Sequence, residues 1–186
     1  DIARAVHEQT NLDVFLIHYP GLDRGLGQFT FQKSKAATLE FCQHLQDLGY
    51  ETLHFVGHSW GGFLSLIANS FWNPKSKTVL LSPFLEIPQG DKLTQFTHTL
   101  YTDTKKHLLP MTEQEVRADL QALHDHYPFQ TIQKILRESK SQIYFLQALH
   151  DEATPVETAR QALQQNRNPL VNYQELETDH GFTDRP

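Results

Sequence analysis

The stretch "LHFVGHSWGGFLSLIANS", Leu53 to Ser70, decides the fold. A run of strand-forming residues reaches Gly57-His58-Ser59-Trp60-Gly61-Gly62 and passes at once into an apolar helical pattern. A buried strand needs no serine at its tip, and a plain turn needs no glycines at such fixed offsets. A serine hydroxyl is a poor nucleophile until a base removes its proton, so it has to project where a histidine can reach it. A tight strand-to-helix turn presents it in this way, and crowding there asks for small residues at Gly57 and Gly61. The helix that starts just after Ser59 leaves free N–H groups and a positive dipole end beside the reacting carbonyl. The backbone N–H of Trp60 is the natural donor to a developing oxyanion. Taken alone, the same pattern also fits a glycine-bounded turn with an incidental serine.

The decision comes from two further groups, expected at the carboxyl ends of later strands, where open parallel sheets place their sites. "SQIYFLQAL" (Ser141 to Leu149) reads as a strand, and Asp151 stands just past it in a loop closed by Pro155. "LVNYQELE" reads as a last short strand and leads through "TDHGF" to His180. The chain order Ser59, Asp151, His180 is the serine–acid–histidine order that accompanies such an elbow. His180 takes the serine proton and returns it to the leaving group, while Asp151 holds the imidazole tautomer and stabilises the imidazolium. Glu152 is a rival acid one position on. His180 is one of 11 histidines, most of which belong to surface or packing positions.

Elsewhere the chain alternates strand and helix. "LDVFLIHY" (Leu12 to Tyr19) is a mostly apolar run expected as a strand buried on both faces. Ala37, Phe41, Leu45 and Leu48 fall at helical spacing before the stop at Gly49. "ETLHFVG" and "KTVLLSPF" are further strands. From Leu85 to about Lys140 the pattern turns helical and polar, with Thr112 and Glu115 forming a capping box. The fold class expected is therefore α/β, a mostly parallel sheet with flanking helices. The core is assigned to residues 1–84 and 141–186, and the helical insertion to 85–140.

Composition narrows the function. The 186 residues, 39% hydrophobic and 20% charged, suit one globular domain. A net charge of −6 argues against nucleic acid as partner. No apolar run approaches the roughly 20 residues of a membrane span, and no leader is visible. Cys42 is the single cysteine, so no internal disulfide forms; the expected location is the cytoplasm. Gly21, Gly25 and Gly27 do not make a dinucleotide fingerprint, and no Lys-Ser/Thr follows the elbow glycines; no cofactor is expected. His124 and His126 lie two apart on a helix and face different ways, so no metal site is expected and the polar face is read as solvated. Thr104–His107, "TKKH", reads as an exposed charge cluster.

"VGHSWGG" resembles the nucleophile elbow of the α/β-hydrolase superfamily. "FLQALHDEATPVETAR" resembles its acid loop, and "TDHGFTDR" the histidine loop of its esterase-like and acyl-peptidase-like members. The resemblance implies that residues 85–140 are a helical cap over the pocket and that the chain is a carboxylesterase-like serine hydrolase acting on a small or medium acyl substrate. A peptidase or thioesterase with the same triad, and a non-catalytic binding protein on the same fold, remain open. The resemblance also implies that Leu12–Tyr19 is followed by its usual Pro-Gly loop, "HYPGLDRGLG". Earlier strands and the loop giving the second oxyanion donor are then expected upstream of Asp1, and a final helix after Pro186. In the alternative, Leu12–Tyr19 takes the slot beside the nucleophile strand, and Pro20–Gly21 serves as the oxyanion loop.

Overall fold

A computed structural model describes residues 2–22, 25–72, 74–104 and 111–183. Lys105–His107 of the expected charge cluster, and Asp184 and Arg185 of the histidine loop, lie outside the described residues. Its elements in chain order are α1 (Ile2–Thr10), α2 (Phe31–Asp47), β1 (Phe55–His58), α3 (Trp60–Ser70), β2 (Lys77–Leu81) and α4 (Asp91–Thr104). They continue with α5 (Glu113–His126), α6 (Phe129–Glu138), β3 (Gln142–His150), α7 (Val156–Leu163) and β4 (Val171–Asp179). The strands form one sheet in the order β1-β2-β3-β4, every neighbouring pair parallel. Parallel neighbours require a crossover, and α3 links β1 to β2, α4–α6 link β2 to β3, and α7 links β3 to β4.

The register explains the core. Gly57, Leu80, Phe145 and Tyr173 form one row across the sheet, and Leu80 and Phe145 are fully buried. The adjoining row, Val56, Val79, Tyr144 and Asn172, points to the opposite face, because side chains alternate along a strand. Val56 is 52% and Tyr144 37% exposed, so that face is open at this row. The α3 segment Gly62–Asn69 is buried on every side, as an apolar helix without a polar face must be. It packs on β1, β2, α2 and α6, while α7 packs on β3 and α6. Among the described residues, no helix is long and apolar enough to cross a membrane.

Local signals explain several helix ends. The Thr30 hydroxyl accepts from the Lys33 N–H to start α2, and Gly49 (φ +98°) ends it. Thr112 and Glu115 form the reciprocal capping box at the head of α5. Within α5, Asp125 and His126 face solvent, but His124 Nδ1 is buried without a hydrogen-bond partner, so the solvated-face reading fails for that residue.

The strand expected over Leu12–Tyr19 does not form. This stretch runs as irregular chain, with the Phe15 ring edge-on to Phe41 and Tyr50 and the Asp13 carboxylate accepting from the Tyr50 hydroxyl at 2.7 Å. Leu16 is 66% exposed. Apolar residues alone do not make a strand; a neighbour must supply paired N–H and C=O groups, and β1 remains at the edge of the sheet. The stretch therefore does not occupy a slot beside β1. The Pro20–Gly21 oxyanion loop is overturned with it: the Gly21 N–H donates to the Gly25 carbonyl, and proline has no N–H to offer.

Candidate active site

Ser59 joins β1 directly to α3 and adopts φ +54° and ψ −119°. A non-glycine residue there is strained, by about 1–3 kcal/mol for such outliers, and persists only where surrounding structure holds it. The hold is visible. The Ser59 N–H donates to the Leu81 carbonyl at 2.9 Å, and the Ser59 carbonyl accepts from Phe63 and Phe84. The tip of β2 and the first turn of α3 thus grip the residue from both sides. Its hydroxyl makes no capping bond to the helix.

The glycines around it are not equivalent. A Cβ on Gly57 would lie 2.1 Å from the Gly61 carbonyl oxygen. One on Gly62 would lie 2.8 Å from Pro83 Cβ, whereas one on Gly61 would meet only the Tyr19 hydroxyl at 3.8 Å. The steric demand therefore falls on Gly57 and Gly62, and the sequence pattern points to Gly57 and Gly61. Gly62 is missed because the atom it avoids comes from the loop after β2.

Asp151 follows β3 and is buried. Its Oδ1 accepts from the Ala153 and Thr154 N–H groups at 2.9 and 2.7 Å. Its Oδ2 accepts from the Thr154 hydroxyl and from His180 Nδ1, each at 2.7 Å. Burial pushes the carboxyl pKa up, but the hydrogen bonds from His180 and Thr154, with a smaller contribution from Ser82, together outweigh it and hold the group below the usual carboxylate value. An ionised Asp151 only accepts, so Nδ1 of His180 carries the proton and Nε2 of the neutral ring keeps its lone pair. Glu152 is exposed, and the His180 bond goes to Asp151 instead.

Two further residues support the acid. Thr154 Oγ1 lies 3.2 Å from the Ser82 carbonyl, and the Ser82 hydroxyl lies within reach of the Ala148 N–H and the Gln147 amide. Ser82 itself sits at φ +40° just beyond β2. Neither residue carries a sequence signal, since each matters only once the tips of β2 and β3 adjoin.

The structure thus brings Asp151 and His180 together, while Ser59 and His180 form no hydrogen bond in it. Catalytic hydrogen bonds are often long in unliganded sites and tighten in the substrate complex. The Trp60 ring donates to the Ser34 hydroxyl at 2.9 Å and stacks on Phe63, so it is a packing group. Its backbone N–H, the first of α3, has no carbonyl four residues back within the helix. His58, not singled out for a role, lies against the site: its Nε2 is 2.6 Å from the His180 carbonyl oxygen and its ring 4.6 Å from the His180 ring. Partial burial lowers its pKa, opposed by the bond to that carbonyl and reinforced by the neighbouring His180.

Solved structures with the same overall arrangement include esterases and lipases. A monoacylglycerol lipase from Paleococcus ferrophilus superposes with a TM-score of 0.60 at 15% identity, over 87% of this chain and 72% of that one. A structure reported for carboxylesterases of Nitrososphaera gargenis gives 0.58 at 15% identity, over 88% and 71% of the two chains. A lipase-esterase related protein from Clostridium acetobutylicum gives 0.57 at 17% identity, over 84% and 71%. At such identities the likeness is one of fold. No curated protein matches the chain significantly. The family model described as "Alpha/beta hydrolase family" matches residues 2–186, and with the elbow, the parallel sheet and the strand-tip residues in place, the chain belongs to the α/β hydrolase family.

Proposed function

We propose that the chain is a serine hydrolase that cleaves an ester-type bond of a small or medium acyl substrate, with Ser59 as nucleophile, His180 as base and Asp151 as its orienting acid. The observation that carries this reading is the 2.7 Å bond from His180 Nδ1 to Asp151, with His180 also touching His58, the residue before a serine held at φ +54°. As Ser59 Oγ attacks the substrate carbonyl carbon, its proton passes to His180 Nε2. The carbonyl oxygen becomes an oxyanion that accepts from the Trp60 N–H; one such donor is worth about 3–4 kcal/mol in a preorganised site. Collapse breaks the ester bond, and the leaving alkoxide takes the proton from His180. Water then attacks the acyl-serine, giving its proton to His180, and release of the carboxylic acid restores the Ser59 hydroxyl. The helical segment 85–140 serves in this reading as a cap that selects substrate.

A fluorophosphonate probe should label Ser59 in the wild-type chain and not in Ser59→Ala. An intact, folded protein that stays unlabelled and turns over no ester, thioester or aminoacyl amide would sink the proposal. Activity confined to thioesters or amides would reassign the substrate class and keep the triad. The unmade Ser59–His180 bond also suits a binding protein on this fold. That reading requires ligand affinity indifferent to Ser59→Ala and no turnover.

A further inference from the structure

His58 ends β1, and His180 follows β4, at the opposite edge of the sheet. Three strand spacings, about 14 Å, separate those edges. The two residues nevertheless touch: His58 Nε2 lies 2.6 Å from the His180 carbonyl oxygen, across 122 positions of sequence. His180 directly follows Asp179, which still pairs with His150, whereas the tip of β1 lies level with Leu146, so the extended end of β4 comes back over the carboxyl rim of the sheet. The turn that follows is closed by Asp179, whose Oδ1 and Oδ2 accept from the N–H and hydroxyl of Thr183. The same turn rests on His58, which meets the His180 ring at 4.6 Å and the Phe182 ring edge-on at 6.0 Å. Phe182 stands at φ +53°, a conformation that a free loop would leave.

Resting on the hydrolase reading, we propose that His58 is a positioning residue for the base: its Nε2–H donates to the His180 carbonyl and fixes the imidazole at the rim beside Ser59. A carbonyl oxygen can only accept, so the neutral His58 ring must carry its proton on Nε2. The bond acts on the backbone of the base, and Asp151 acts on its ring, so the two restrain His180 at separate points. Displacing a catalytic group by about 1 Å can cost about 100-fold in rate.

The test compares His58→Gln, whose amide N–H can reach the same carbonyl, with His58→Phe, which keeps a ring but no donor. His58→Phe should lose up to about 100-fold in kcat, with kcat and kcat/KM falling together, and His58→Gln should recover most of the loss. Melting curves check that both variants fold, and His58→Leu replaces the Phe variant if that one does not. Proton NMR gives a readout that needs no turnover. The His180 Nδ1–H signal should persist in His58→Gln and broaden in His58→Phe, and the wild-type His58 ring nitrogens should show the Nε2–H form. Equal activity and an unchanged signal in His58→Phe, a Gln variant as impaired as the Phe variant, or a His58 Nδ1–H tautomer would each overturn the assignment. A wild-type protein without turnover or labelling defeats the hydrolase reading instead, and the NMR outcome then decides the role of His58 alone.

Discussion

At the scale of single residues, the elbow separates two glycines that its motif treats alike. Gly57→Ala forces a Cβ against a backbone oxygen that cannot swing away, and overpacking of this kind costs about 1–3 kcal/mol or more. Gly61→Ala brings only an ordinary contact with the Tyr19 hydroxyl, and alanine is favoured over glycine in a helix by up to about 1 kcal/mol. Thermal melts should therefore place Gly61→Ala near wild type and Gly57→Ala well below it; equal losses would refute this account of the crowding. The meeting of Asp151 and His180 was foreseeable because each stands at the tip of a readable strand. Thr154 and His58 carry no comparable signal. Their partners, Ser82 and the His180 carbonyl, come from distant segments, and only folding creates those pairs.

At the scale of elements, one carboxylate ties the helical segment to α2. Asp119 of α5 accepts from the Phe31 and Gln32 N–H groups at the first turn of α2, where helix N–H groups have no internal partner. Removing such an acceptor costs about 0.5–2 kcal/mol, so Asp119→Ala should lower the urea midpoint accordingly. Burial pushes the Asp119 pKa above its ordinary value, and the N–H groups and Lys33 offset that only in part. The folded state then binds a proton more tightly than the unfolded one, and the stability that this contributes below about pH 4 is lost as pH rises through the raised pKa. Asp119→Asn has no such loss. Its stability relative to wild type should improve as pH climbs through that window, and a constant or opposite difference would contradict the sign. The sequence made the ends of these helices readable through Gly49 and the Thr112–Glu115 pair. It misled at Leu12–Tyr19, because an apolar run announces burial or pairing without stating whether a neighbour stands ready.

At the scale of the whole molecule, protection should follow the sheet order. β3 pairs on both sides and carries the fully buried Ile143, Phe145 and Ala148, so its amides should exchange slowest with deuterium. β1, paired on one side, should exchange sooner, and the irregular stretch Leu12–Tyr19 first. Protection of that stretch equal to β3 would mean that it is paired after all. The alternation of strand and helix made the parallel sheet foreseeable, whereas the return of the end of β4 to the tip of β1 has no signature in pattern or composition. That return path has a temporal meaning. Contacts between remote segments form late, because long loops must close first. A chain emerging during synthesis can therefore close neither the Asp151–His180 pair nor the His58 contact until the segment after β4 has been made, however much of the sheet already stands.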